Sequence, residues 1–241
     1  AQARNLLHLR FFMEDNPTLS QETRQRYERT FQGAFYRRFV LGEWTAAEGL
    51  VYDFFEESMV RPAPAEPADR WVISCDYGTV NPTSMGLWGK WGGVWYRVQE
   101  YYYDARAARR QQPDQEYAQR LRELAGGREI EAVVVDPSAA SFLEVLRREG
   151  WHVRKADNEV LSGIRQTADA LKQGKIVICP PCTDAIREFA SYCWDLSAGD
   201  RDQVRKEFDH AMDEIRYFVA TVVAPEEGED LFFAGYVERH V

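Results

Sequence analysis

The chain has 241 residues, a formal net charge of −9 and an apolar fraction of 45%. That length allows one large domain or a domain with an extension. The acidic balance excludes a generic nucleic-acid coat, which needs a basic surface, and leaves room for a nuclease whose carboxylates meet DNA once divalent cations neutralise them.

Taken in order, residues 5–15 form an apolar, strand-like run that ends in acids and is broken by Asn16-Pro17. The opening residues lack the charged, apolar and cleavage regions of a secretory signal. They begin without Met, which reads as a piece of a longer protein. Thr18 or Ser20 is placed to cap a helix over about 21–39. Tyr27, Phe31, Ala34 and Phe35 make its apolar side. Gly42-Glu43-Trp44 ends it, and Glu48 to Phe55 reads as an extended apolar segment. Residues 61–68 are rich in Pro and Ala, which predicts a stiff, extended linker and a domain boundary near residue 70.

Beyond the linker, Trp71 to Cys75 is a short apolar run that ends in Asp76. Ser84–Lys90 and Gly93–Tyr103 read as strands turned at Gly92-Gly93. A helix is expected from Pro113 to about Ala125, closed by Gly126-Gly127. Ile130 to Val135 is a buried strand that also ends in an acid, Asp136. Ser138 is expected to cap a helix reaching about Glu149. Strand 152–155, helix 159–173, strand 175–178 and helix 182–192 follow. Cys179 and Cys182 form a lone C-x-x-C pair without a second ligand pair for zinc, so Cys75, Cys179, Cys182 and Cys193 are expected to be buried, reduced thiols. Residues 194–207 read as a hairpin or a mobile loop, and Pro225 to Val241 as a tail. No apolar run approaches the ~20 residues that span a bilayer. This order predicts an α/β fold, a hairpin meander followed by β-α units, hence a mixed sheet with helices on both faces.

The densest chemistry lies in Phe208 to Tyr217, read as a helix. At about 100° per residue Phe208, Met212, Ile215 and Val219 share one apolar face. Asp209 and Asp213 lie one turn apart on its flank, with His210 beside Asp213. Alone, this is an acidic first turn favoured by the helix dipole. Likewise Asp76 alone is a turn residue before Tyr77-Gly78, and Asp136 a helix cap before Pro137. Together they mean more, because reactive groups of open α/β sheets gather at the carboxyl ends of strands. If the two strands are parallel neighbours, their ends lie roughly 5 Å apart. Such an all-oxygen cluster suits magnesium or manganese. Two such ions about 4 Å apart can activate a water and stabilise the leaving oxygen of a phosphodiester.

Cys75-Asp76-Tyr77-Gly78, Val134-Val135-Asp136-Pro137-Ser138 and the run Asp209 to Tyr217 resemble the nuclease domain of large terminase subunits, the DNA-packaging motors of tailed bacteriophages. The resemblance covers about residues 70–223. Asp15-Asn16-Pro17, Gly42-Glu43-Trp44 and Glu48 to Tyr52 resemble the segment that joins the terminase ATPase domain to its nuclease. The resemblance implies an RNase H-like fold and a metal-dependent endonuclease that cuts concatemeric double-stranded viral DNA before and after packaging. It implies two divalent ions, Mg²⁺ or Mn²⁺, on a triad of Asp76, Asp136 and Asp213, with His210 nearby and Asp209 a further candidate ligand. It also implies partners: the DNA, and in the full-length protein the ATPase domain, the portal protein and the small terminase subunit. The place implied is the host-cell cytoplasm, at the procapsid and away from membranes. Residues 1–69 would then be the remnant of the ATPase domain plus linker, 70–223 the nuclease and 224–241 a tail. No G-x-x-x-x-G-K-[ST] loop occurs, so no ATPase activity and no organic cofactor are expected.

Other features stay open at this level. Arg106, Arg109 and Arg110 suit either a DNA backbone or a solvated surface. Glu100 reads as a supporting acid or an exposed strand residue. Tyr77 and Trp194 suit base stacking or packing. His8, His152 and His240 read as structural, and Glu214 and Arg216 as an exposed pair. The alternatives are a junction-resolvase type of nuclease and a non-catalytic docking module for portal or small terminase.

Overall fold

The computed structural model describes residues 49–195 and 203–225. The run at 5–15, the helix over 21–39, Gly42-Glu43-Trp44 and the tail beyond 225 lie outside the described residues. Six strands form one sheet: β1 (Arg70–Asp76), β2 (Thr83–Trp91), β3 (Val94–Tyr103), β4 (Ala132–Val135), β5 (Val153–Lys155) and β6 (Ile176–Ile178). Their order is β5-β4-β1-β2-β3-β6. β1, β2 and β3 are antiparallel neighbours, whereas β4 runs parallel to β1, β5 to β4 and β6 to β3. The meander closes at Gly92 (φ +54) and Gly93 (φ +87). A two-residue hairpin turn of this hand needs left-handed backbone at both positions, which glycine adopts without strain.

The helices are α1 (Ala105–Ala108), α2 (Asp114–Ala125), α3 (Ala140–Arg148), α4 (Val160–Lys172), α5 (Thr183–Phe189) and α6 (His210–Phe218), the last continuing as a π-helical turn over Val219–Val223. They cover both faces, which is why β4 reads as an unbroken apolar run. On one face Ile73, Cys75, Val133 and Val135 pack with Tyr117 and Leu121 of α2 and Phe142 and Leu146 of α3. On the other, Val72, Trp88 and Val134 pack with Ile164 of α4, Phe189 of α5 and Met212, Ile215 and Phe218 of α6. Trp88 stacks on Phe218 with ring centroids 4.0 Å apart. Residues ahead of the Pro/Ala-rich stretch join this second core. Tyr52 is buried and stacks on Tyr192, Phe55 stacks on Phe189, and Leu50 bridges to Cys193. Among the described residues no helix is long and apolar enough to cross a membrane. The four cysteines are buried and unpaired with one another.

Four expectations are corrected. Helix α6 starts at His210, two residues late, because Phe208 takes a left-handed backbone (φ 55) that stops the helix from extending back. Ser138 does not cap α3; its backbone N–H instead donates to Asp136 Oδ1 at 2.7 Å, and α3 begins after Ala139 with no side-chain cap. Glu214 and Arg216 are buried, not an exposed pair. Glu214 Oε2 accepts from Arg97 Nε (3.0 Å) and Nη2 (2.7 Å), and Oε1 accepts from Ser74 Oγ and Trp88 Nε1. Arg97 also donates to Glu100 Oε2 at 2.5 Å. Glu100 is therefore not an exposed strand residue: its carboxylate accepts from the N–H groups of Asp184 and Ala185 at the start of α5.

This pair needs a gap in the side-chain layer of β2. Gly86 provides it: a Cβ there would meet the Glu214 carboxylate, and Arg97 Nε at 2.6 Å. Gly86→Ala is expected to lose about 1–3 kcal/mol, the usual range for overpacking a filled interior. Urea unfolding measures it, and an unchanged midpoint would show that the pair can retreat.

Candidate active site

Strand register builds the first half of the site. Cys75 pairs with Val135 across parallel β1 and β4, so Asp76 and Asp136 leave the sheet side by side at the same end. Helix α6 supplies the other half by packing along β1 and β2. His210 Nδ1 lies 3.0 Å from Asp76 Oδ2, and its Nε2 lies 3.9 Å from Asp209 Oδ1. Arg216 Nη2 donates to Asp213 Oδ1 at 2.9 Å, and Lys206 Nζ sits 3.4 Å from Asp213 Oδ2. The Arg216 guanidinium is itself anchored, donating through Nη1 to the carbonyls of Asn158 and Glu159, with its stem packed on Gly163.

Asp76, Asp209, His210 and Asp213 line one cleft of about 1250 Å³, together with Lys206, Arg106 and Arg187. Asp136 is not part of this lining. It is buried, accepting from Ser138 N–H, from Asn158 Nδ2 at 3.5 Å and from the Tyr217 hydroxyl. Burial alone raises its pKa, but these hydrogen bonds hold it below the ordinary carboxylate value. Asp76 behaves differently. Burial pushes its carboxyl up to about 6, the charges of Asp213 and Asp209 add to this, and His210 opposes it. Asp209 is raised by burial and then by the charge of Asp213. For His210 burial works downward, and the hydrogen bond and charge of Asp76 outweigh it, leaving the imidazole above its usual value.

Among the described residues no three acidic, imidazole or thiol side chains are set to grip one ion. The oxygens are engaged by internal cations and donors: His210 on Asp76, Arg216 and Lys206 on Asp213, Ser138 and Tyr217 on Asp136. The donor chemistry nonetheless suits a hard divalent cation, because the cluster offers carboxylate oxygens of like charge. The Lys206 ammonium, held between Asp209 and Asp213, stands in for a cation there.

The arginine cluster divides. Arg106 lines the cleft and donates to Asn81 Oδ1. Arg109 caps α1 in a left-handed backbone, and Arg110 pairs with Glu116. Tyr77 lines the cleft, but its ring stacks on Phe142 at 4.7 Å, and Trp194 packs against the core. His152 Nδ1 meets the carbonyl of Glu131.

Sequence reasoning missed Lys206, Arg216, Tyr217 and Glu188. Glu188 is fully buried on α5 and accepts from the N–H groups of Ala211 (2.7 Å) and Met212 (3.4 Å) and from the Tyr102 hydroxyl (2.7 Å). It thus caps the helix that carries His210 and Asp213. Nothing in the spacing links residue 188 to residue 211; only the tertiary fold does.

Burial pushes the Glu188 carboxyl from its ordinary 4.5 up to about 7. A carboxyl raised on folding contributes stability that is complete below about pH 4.5 and is lost as pH rises through about 7. Glu188→Gln carries no such slope. Its melting temperature, relative to the unsubstituted chain, is expected to climb between about pH 5 and pH 8 by differential scanning fluorimetry. Parallel profiles would contradict the assignment.

No family model matches the chain. It is similar to the terminase large subunit of Escherichia phage T5, 22% identical over an alignment 222 positions long that covers 86% of this chain and 50% of that protein. Among solved structures it resembles the large terminase of a thermophilic bacteriophage in complex with ADP, with 46% identity, a TM-score of 0.71, and coverage of 91% of this chain and 56% of that one. The chain thus spans about half the length of these relatives. Two shorter structures share the fold over 73% of the chain: the P22 large terminase nuclease domain (17% identity, TM-score 0.58, 93% of that chain) and the large terminase nuclease of thermophilic phage G20c with bound magnesium (14%, 0.56, 98%). The chain is a homologue of phage terminase large subunits, and its described residues form the nuclease-domain fold of that family.

Proposed function

We propose that the chain is the nuclease part of a viral DNA-packaging terminase and cuts concatemeric double-stranded DNA by metal-dependent phosphodiester hydrolysis at the start and end of packaging. The observation that carries this reading is the cluster of Asp76, Asp209, His210 and Asp213 in a cleft at the strand ends, with Asp209 and Asp213 buried and Asp76 and His210 partly so, in a chain 46% identical to the large terminase solved with ADP. Divalent ions, two in this reading and either Mg²⁺ or Mn²⁺, would supply an activated water and neutralise the leaving oxygen. Asp76, Asp136 and Asp213 would hold them, with Asp209 as a further ligand. The magnesium- and cobalt-bound nucleases of phage G20c support the choice of a divalent cation.

The chain's own groups provide the rest. Arg216 fixes the rotamer of Asp213, and Tyr217 that of Asp136. Asp76 orients the imidazole through Nδ1, leaving His210 Nε2 to exchange a proton with the attacking water or the leaving oxygen. Arg106, the member of its cluster that lines the cleft, would contact a DNA phosphate. Residues 70–223, with Leu50 to Phe55 packed into their core, would be the nuclease unit, the preceding residues joining it to an ATPase domain in the full-length protein and 224–241 forming a tail. Portal protein and small terminase would be its partners, at the procapsid in the host cytoplasm. A docking module gives no reason to gather Asp76, Asp209 and Asp213 around one cleft.

Asp213→Asn is expected to abolish Mn²⁺-dependent plasmid nicking with an unchanged circular dichroism spectrum. A fully active variant would end this reading. His210→Ala should retain a residue of activity, lower by about 10²–10⁴-fold, in single-turnover cleavage. Arg106→Ala should weaken duplex binding in calcium, measured by fluorescence anisotropy, whereas Arg110→Ala should not; equal losses would place the DNA elsewhere.

A further inference from the structure

Lys206 has a position that the proposed chemistry does not use. It lies in the segment leading into α6, with its side chain 65% exposed, and forms part of the cleft wall. Its ammonium nevertheless sits 3.4 Å from Asp209 Oδ2 and 3.4 Å from Asp213 Oδ2. Those side chains are only 4% and 10% exposed. Two carboxylates that share one ammonium at 3.4 Å are close enough to repel each other.

The two cations on this pair are held differently. Arg216 reaches Asp213 Oδ1 from inside the fold and is locked by two carbonyls and by Gly163. Lys206 reaches the other oxygen from the cleft, on a flexible stem. Its contacts are longer than the ~2.7–2.9 Å of a charge-assisted hydrogen bond. An ammonium is a compact point charge without a fixed fork. Lys206 is therefore held by the field of the pair and is free to leave, whereas Arg216 is not.

We infer that Lys206 is a tethered counter-ion of the Asp209–Asp213 pair, which a divalent cation must displace in order to bind. The inference rests on the reading that this pair takes up metal. It gives the ion-free chain a means of holding both carboxylates in place, and it makes metal uptake an exchange of cations at these two oxygens. Neutralising residue 206 should then tighten metal binding and weaken the ion-free fold.

The test is isothermal titration of Mn²⁺ into the chain, without DNA, for the unsubstituted protein, Lys206→Met, Lys206→Arg, Arg106→Gln and Asp213→Asn. Lys206→Met is expected to bind Mn²⁺ about three- to tenfold more tightly, the scale of a partly exposed ion pair. It should also melt at a lower temperature in chelator and gain more on adding Mn²⁺. Lys206→Arg keeps the charge and should stay close to the unsubstituted chain. Arg106→Gln removes a positive charge from the same cleft without touching either carboxylate, and it should change affinity less than Lys206→Met. Affinity of Lys206→Met equal to that of the unsubstituted chain or of Arg106→Gln, or weaker, overturns the exchange. An unsubstituted chain that takes up no Mn²⁺, or no more than Asp213→Asn, instead fails the metal reading itself and removes this inference with it.

Discussion

The ion pair between Arg97 and Glu214, fully buried between β3 and α6, is the constraint on which the site depends. Taking two charges out of water costs several kcal/mol each, and their attraction offsets this only with good geometry and few unused hydrogen-bonding positions. Both conditions are met. The guanidinium meets Glu214 through two nitrogens and Glu100 through the third, and the remaining Glu214 oxygen is taken by Ser74 and Trp88. Such an arrangement does not tolerate displacement, because losing one partner leaves a buried charge alone. Helix α6 therefore has one rotation and one height relative to β1, β2 and β3. Asp213 and Arg216 flank Glu214 on that helix, so the same pair fixes where the site carboxylate and its guanidinium clamp stand.

Around this fixed helix the charges are arranged under tension. Burial raises the cost of ionising Asp76 and Asp209, and the neighbouring charge of Asp213 adds to it. A purely structural core has little use for such a cluster, since apolar residues of the same volume are as stable or more so. Perturbed acids gathered in a cleft are instead the pattern of sites matched to a charged ligand. His210, Lys206 and Arg216 supply the partial neutralisation that lets the chain fold with the cluster in place. They differ in permanence, from the locked Arg216 to the solvent-facing Lys206.

The strands and their acids were legible because sheet burial writes itself plainly into sequence. The Val/Ile runs of β1 and β4 and the Gly92-Gly93 turn follow from local rules, and Asp76 and Asp136 stand out as the first charges after apolar runs. Helix α6 was harder to read. Every residue from Ala211 to Phe218 is buried, so its polar positions do not mark a solvent face. An amphipathic reading then assigns Glu214 and Arg216 to water, whereas Arg97, the partner that permits the burial of Glu214, is set by the fold, as are the carbonyls of Asn158 and Glu159 that anchor Arg216 beside its local partner Asp213. The same holds for Glu100, whose role as acceptor for the first amides of α5 needs β3 and α5 to be adjacent. The start of α6 failed for a local reason, since periodicity does not register one left-handed residue such as Phe208.

The capping of α6 shows how structure and chemistry were kept apart. A residue such as Asp209, standing just ahead of a helix, ordinarily turns its carboxylate onto the first free amides. Asp209 makes no such bond. Its backbone is already near-helical (φ −117, ψ 0), and its carboxylate faces Lys206 and the cleft. The amides of Ala211 and Met212 are served from outside the helix by Glu188, which Tyr102 holds in turn. The arrangement costs the burial of one more acid, visible in a carboxyl pushed up to about 7. In exchange, the acid at the helix start is released from a structural duty and left available to a ligand. A chain selected for stability alone would let Asp209 cap its own helix and would fill the place of Glu188 with an apolar side chain.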